Sequence, residues 1–368
     1  MLDLRLLGLV RMATAMAAVA LFGLAAPSSA AAVACGDTLT ASIALDADLD
    51  CPSGNGLVIG ADGVTVDLGG HTIVGDDTTT TYGVENAGGF DRVTVKNGTI
   101  RGFDTQIYVV GGEGHVIRGV QLRAGTHAIR FDGEVGFAKI LKVVAFDSDG
   151  VAMQIGGSDN QISQAVIVNA AAAGIRLVGS RNTVAKCTIV NPFDAGIRLA
   201  GFGENNVFTG NTVSVGQSEC IRVEAFGGTG NVVAKNLCEA NEGGGIALMG
   251  SQEGVVTGNT VVGNGADGIR VGFVSIGNVV SKNKISGNYG SGIYVPADSG
   301  FTTILGNVAN RNRNNGIDTD GLNATIGKNR VEANRRGGIE APLGVVDAGG
   351  NKARNNKNFE CSPALTCK

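Results

Sequence analysis

The chain has no tryptophan, 6 prolines, 4 tyrosines and 3 histidines in 368 residues. Each scarcity removes a class of protein. Glycine is abundant but keeps no three-residue period, so with few prolines the chain is not collagen-like. Only 17% of residues are charged and the net charge is −4, so no global basic field favours a nucleic-acid partner. The histidines, His71, His115 and His127, fall at unrelated points of the pattern described below, and no metal-ligand spacing emerges. Five methionines are too few for a copper relay. Beyond the N-terminus no apolar run is long enough to cross a bilayer, so no membrane span is expected.

What is present is glycine (59 residues) and a 43% share of hydrophobic residues rich in Val, Ile and Ala, which argues against disorder. Residues 1–32 read as a signal peptide: Arg5 and Arg11 precede an apolar stretch from Met12 to Ala26, and "APSSAAA" supplies small residues for cleavage. The mature protein is therefore expected to be secreted or periplasmic, where disulfides persist. Of 7 cysteines, Cys35 with Cys51 and Cys361 with Cys367 are close in sequence near the ends of the mature chain, where staples oppose fraying. Cys220 with Cys238 is expected as a third bridge, leaving Cys187 as a buried free thiol.

The dominant feature is a repeat. The phrase Gly-Ile-x-aliphatic recurs as "AGIRL" at Gly174 and Gly196, "GGIAL" at Gly245, "DGIRV" at Gly268, "SGIYV" at Gly292, "NGIDT" at Gly316 and "GGIEA" at Gly338, at intervals of 22 to 25 residues, with looser copies upstream. A second phrase of the type "TGNTVVGN" follows each one. It aligns two asparagine columns, Asn211 to Asn351 and Asn241 to Asn356. Apolar residues alternate in runs of three to five, too short for helical repeats and right for strands. Three short strands per repeat, each paired in parallel with its counterpart one repeat later, make an all-β, single-stranded parallel β-helix of about 13 coils. Asn tolerates left-handed backbone, and stacked Asn amides satisfy one another in a dry column. Residues 33–54 are expected to cap the N-terminal end of the helical body at 55–358. A disulfide-closed tail, 359–368, is expected at the other end.

These phrases resemble the right-handed parallel β-helix repeats of the pectate-lyase-like superfamily. The opening "CGDTLTASIALDADLDCPSGNGLVIG" resembles the leading segment of exported bacterial β-helix proteins, for which the resemblance implies a fold but no particular activity. In that superfamily the outward face of one sheet is where polysaccharide lies. Strand alternation puts that face on the third residue of each marker phrase, a column reading Glu85, Tyr108, Arg130, Ala152, Arg176, Arg198, Arg222, Ala247, Arg270, Tyr294, Asp318, Glu340. Stacking like charges about 4.8 Å apart costs about 0.9 kcal/mol per pair in bulk water, a cost other residues would avoid. Arg130, Arg176, Arg198, Arg222 and Arg270 are therefore candidates for binding an acidic, uronate-type polysaccharide. The alternative is a solvated face whose arginines pair with acids such as Asp132 and Glu224.

Candidate catalytic residues are Tyr294, Asp318, Asp320 and Glu340. "DTDG" at Asp318 to Gly321 resembles the Asn-Thr-Asp-Gly phrase of polygalacturonases. That family's adjacent Asp pair, Gly-His-Gly and Arg-Ile-Lys phrases are absent, which speaks against hydrolysis. A polysaccharide lyase or C5-epimerase is favoured over a glycoside hydrolase, with Arg270 as carboxylate clamp, Tyr294 as acid/base and Asp318 as orienting group. The Asp-Pro-His phrase of mannuronan epimerases and the calcium cluster of pectate lyases are also missing. No metal site and no cofactor are expected, calcium being the one ion left open. The expectation is a monomeric, exported, polysaccharide-binding and polysaccharide-modifying protein. The rival is a non-catalytic structural or cell-surface rod.

Overall fold

The computed structural model describes residues 33–77 and 80–368. The expected signal peptide, 1–32, lies outside them. The body from Ala34 to Lys368 is one unit built entirely from short parallel strands. One sheet holds 15 strands in strict coil order, from Asp37–Leu39 to Phe359–Cys361. Two further parallel sheets complete each coil. They merge where Thr94–Arg101 and Val116–Arg123 run unbroken from one sheet into the next. Fourteen rises of about 4.8 Å give this body a length of about 67 Å. The segment 33–54 supplies a strand to each sheet, with Asp37 opposite Leu57, Ile43 opposite Val66 and Leu49 opposite Ile73.

The hydrophobic period explains the coil. Along the 15-stranded sheet Ile175, Ile197, Ile221, Ile246, Ile269, Ile293, Ile317 and Ile339 are paired coil to coil and buried. Ile175 lies opposite Ile197 and Arg176 opposite Arg198, so both copies of "AGIRL" share one register. The marker glycine is required by close approach: a Cβ on Gly245 would lie 2.3 Å from both the Gly268 carbonyl oxygen and Val261. One position of the column is corrected. Ala152 is fully buried and Gln154 stands opposite Arg130 and Arg176. In "GVAMQIG" it is Ala152 that aligns with the marker glycine Gly174, because Met153 pairs with Ile175.

The asparagine ladders form. In the corner between the second and third sheets, the backbone N–H of Asn236 donates to Asn259 Oδ1 (2.8 Å), and that of Asn259 to Asn283 Oδ1 (2.9 Å). Each Nδ2 also donates back to a strand carbonyl, as Asn259 does to Val233 (2.9 Å). The corner before the long sheet repeats the device from Asn241 to Asn356. Cys187 occupies the ladder position above Asn211, whose Oδ1 accepts its N–H at 2.9 Å. A third ladder, Asn160, Asn182, Asn206 and Asn231, closes the remaining corner and was not anticipated. Cys35–Cys51, Cys220–Cys238 and Cys361–Cys367 are bonded, and Cys187 is free and buried.

Candidate functional site

The outward column of the long sheet divides into two unlike regions. In its middle, arginines stand in register from Arg176 through Arg198 to Arg222, as their spacing predicts. Two of them are already occupied. Arg198 pairs with Glu224 (2.7 Å) and Asp194 (3.2 Å). Arg222 pairs with Asp194, Glu219 (3.2 Å) and Glu224 (3.3 Å). Nearer the N-terminus Arg130 is held by Asp132 at 2.8 Å, which raises its pKa, and Tyr108 Oη donates to the same carboxylate (3.2 Å). Arg176 reaches only Gln154, and Arg270 lies 5.5 Å over the Tyr294 ring. Among the described residues neither makes an ion pair, although the Arg270 charge acts on Asp267 nearby.

Toward the C-terminus the same column forms an open cleft of about 380 Å³, lined by Asp267, Ser291, Tyr294, Asn314, Asp318, Asp320, Arg336 and Glu340. All four candidate catalytic residues meet here. Tyr294 stands opposite Asp318, and Asp318 opposite Glu340, on successive coils. Burial, with the nearby Glu340 charge, raises the pKa of Asp318 despite a hydrogen bond from Ser291 Oγ (3.2 Å). Burial and the Asp320 charge likewise raise that of Tyr294. Glu340 accepts from Asn315 Nδ2 at 2.5 Å and lies 3.9 Å from Arg336.

Asp267, Ser291, Asn315 and Arg336 were not singled out from sequence. The first three directly precede the marker glycines in "DGIRV", "SGIYV" and "NGIDT", where they read as turn residues. The turn aims them instead along the rim of the sheet. Burial raises the Asp267 pKa, and its Oδ1 accepts the Ser291 N–H at 2.8 Å. Gly290 makes this possible, since a Cβ there would lie 2.2 Å from Asp267 Oδ1. Chemically the cleft offers carboxyl groups that hold protons above their usual range, a protonated phenol, and guanidinium groups at its rim. Among the described residues no group of three His, Cys, Asp or Glu is placed to hold a metal ion, and no helix is long and apolar enough to cross a membrane.

Comparison with known proteins agrees with this architecture. A search of curated proteins finds no match. Among solved structures, the periplasmic alginate epimerase AlgG is similar with a TM-score of 0.59 at 16% identity, over 75% of this chain and 77% of that one. The mannuronan C-5 epimerase AlgE6 A-module of Azotobacter vinelandii gives 0.55 at 12% identity, over 89% and 90% of the two chains. Identities this low establish a shared fold. The family model for the right handed beta helix region matches residues 53–213, 127–275 and 223–358, and the chain belongs to that family.

Proposed function

We propose that this is an exported polysaccharide-active β-helix that binds a uronate polymer along the long sheet and removes the C5 proton of one sugar in the C-terminal cleft. The reaction would then be epimerisation or β-elimination. One observation carries the proposal: Asp318 and Tyr294, each holding its proton more tightly than usual, are neighbours on the face that also carries the unpaired Arg270. Arg270 would bind the sugar carboxylate and stabilise the charge that develops on it as the C5–H bond breaks. Asp318, whose carboxyl holds its proton more tightly than usual because of burial and the nearby Glu340 charge, would accept that proton as the general base. Tyr294, kept protonated, would supply one, either to the opposite face of C5 or to the departing glycosidic oxygen. The proton count balances in both cases. Glu340 and Asp320 act through their charges on these two groups. The alginate epimerase AlgG and the mannuronan C-5 epimerase AlgE6 support a uronate substrate by analogy of fold. The three disulfides support export.

A non-catalytic rod has its own support, since Arg130, Arg198 and Arg222 are closed into ion pairs. One experiment separates the two. Purified protein is incubated with polymannuronate and polygalacturonate in D2O, and C5 deuterium, unsaturated product and reducing ends are followed. Deuterium at C5 or unsaturated ends, lost in Tyr294→Phe, is the expected result. Reducing ends without exchange would mean hydrolysis, and no change in any polymer would leave the rod.

A further inference from the structure

The corner between the second and third sheets carries a pattern unrelated to the cleft. At this corner each coil has one exposed residue in the left-handed region; after Asn97 and Gly119 these residues run Lys142, Gln164, Lys186, Gly210, Lys235, Gly258, Lys282, Gly306, Lys328, Gly350. Their equivalence is shown by their hydrogen bonds. From Lys142 to Lys328 each backbone N–H donates to a carbonyl of the next coil, as Lys186 does to Thr209 (3.0 Å) and Gly210 to Ala234 (3.1 Å). Lysine therefore returns at every second coil, about 9.6 Å apart, over a line of about 38 Å. Five of the chain's eleven lysines lie in this column.

Backbone conformation does not explain the choice. The other two corners have the same left-handed residues, yet there they are mixed: Phe137, Asp159, Arg181 and Asn205 at one, Asp147, Asn169, Val215 and Ala240 at the other. Lysine at positive φ is strained where glycine is not. Charge does not explain it either. The flanking strand positions, from Leu141 to Gly327 on one side and Val144 to Arg330 on the other, contain no carboxylate in a chain of net charge −4. Among the described residues the lysine ion pair is Lys96 with Asp67, on another coil.

We infer that this corner is a second binding surface, for a linear polyanion lying along the rod with its negative charges repeating every second coil. A straight line of evenly spaced cations without walls suits an extended polymer rather than a small ligand. A 1,4-diequatorially linked polyuronate in its extended ribbon matches the repeat, because it presents carboxylates on one side at every second sugar. The surface would hold one stretch of polymer without chemistry, independently of anything that happens in the cleft.

The test uses the full mature chain and polymannuronate, with poly-L-glutamate as an irregular polyanion. Binding is measured by calorimetry at low and physiological salt. Lys186→Gln/Lys235→Gln/Lys282→Gln is expected to weaken polymannuronate binding at least tenfold and to flatten its salt dependence, with an unchanged melting temperature. Arg176→Ala/Arg270→Ala, on the long sheet, should retain the salt-dependent binding at the corner. A charge-neutral exchange, Lys235→Gly/Gly258→Lys, breaks the period and should also weaken it. The proposal is overturned if the triple variant binds as the wild type does, if the exchange leaves affinity unchanged, or if poly-L-glutamate binds equally well. Loss of corner binding alone would leave C5 exchange intact, so the two proposals fail separately.

Discussion

Arg198 and Tyr294 occupy equivalent positions four coils apart on the same sheet, yet their surroundings differ in kind. Around Arg198 and Arg222 the acids Asp194, Glu219 and Glu224 close every guanidinium into a compensated network. Around Tyr294 the acids face one another, and burial with mutual repulsion keeps Asp318 protonated above its usual range. The strands are alike in both places. The difference comes from the residues just before each strand, where Asp194 and Glu219 reach toward cations whereas Asp267, held by Ser291, turns into the cleft with Asp318. One region neutralises its charges internally. The other gathers proton-bearing groups in an open cleft.

Removing a partner from the closed network should have the largest effect. Glu224→Gln leaves Arg198 and Arg222 under-compensated where Glu224 and Arg222 are 14% and 16% exposed, and should cost about 2 kcal/mol in urea unfolding. A change below about 0.5 kcal/mol would make the two regions energetically alike.

The opposite sign is expected in the cleft. Asp318 binds its proton more tightly folded than unfolded, so its contribution is present below the usual carboxylate range and is lost as pH rises through the raised folded value. Asp318→Asn should therefore stabilise the protein at neutral pH, an advantage that disappears in acid. C5 exchange should be abolished by the same substitution. A destabilised Asn variant at pH 7, measured by thermal unfolding across pH, would show that the carboxylate is held for structure.

The smallest effect separates free from occupied arginines. Arg176→Ala should weaken polyuronate binding about threefold, whereas Arg198→Lys, which keeps a cation inside its ion-pair network, should leave binding within error. Equal losses would mean that the paired arginines open to receive substrate.

Much of this was legible in the sequence because a solenoid translates period directly into contact. Once "AGIRL" at Gly174 and Gly196 is aligned, Ile175 must stack on Ile197 and Arg176 on Arg198, and the Asn236 and Asn241 ladders follow. The alignment failed at Ala152, where a buried alanine replaces the marker glycine and hides the register. It also missed the ladder through Asn182 and Asn206, whose preceding turns vary in length. The lysine column was written plainly in "AKC", "AKN", "SKN" and "GKN", but its two-coil period is invisible when coils are compared one step at a time.

The amino-acid sequence by itself determined the coil, its inward stacks and the order of residues along each face, because hydrophobic alternation and a 22–25-residue period permit little else. Only the tertiary structure decided which charges meet. An ion pair depends on ångström-scale reach between side chains of neighbouring coils, whether from the turn before a strand, as for Asp194, or from a strand's end, as for Glu224. That is why Glu224 closes on Arg198 while Arg270 is left facing a tyrosine.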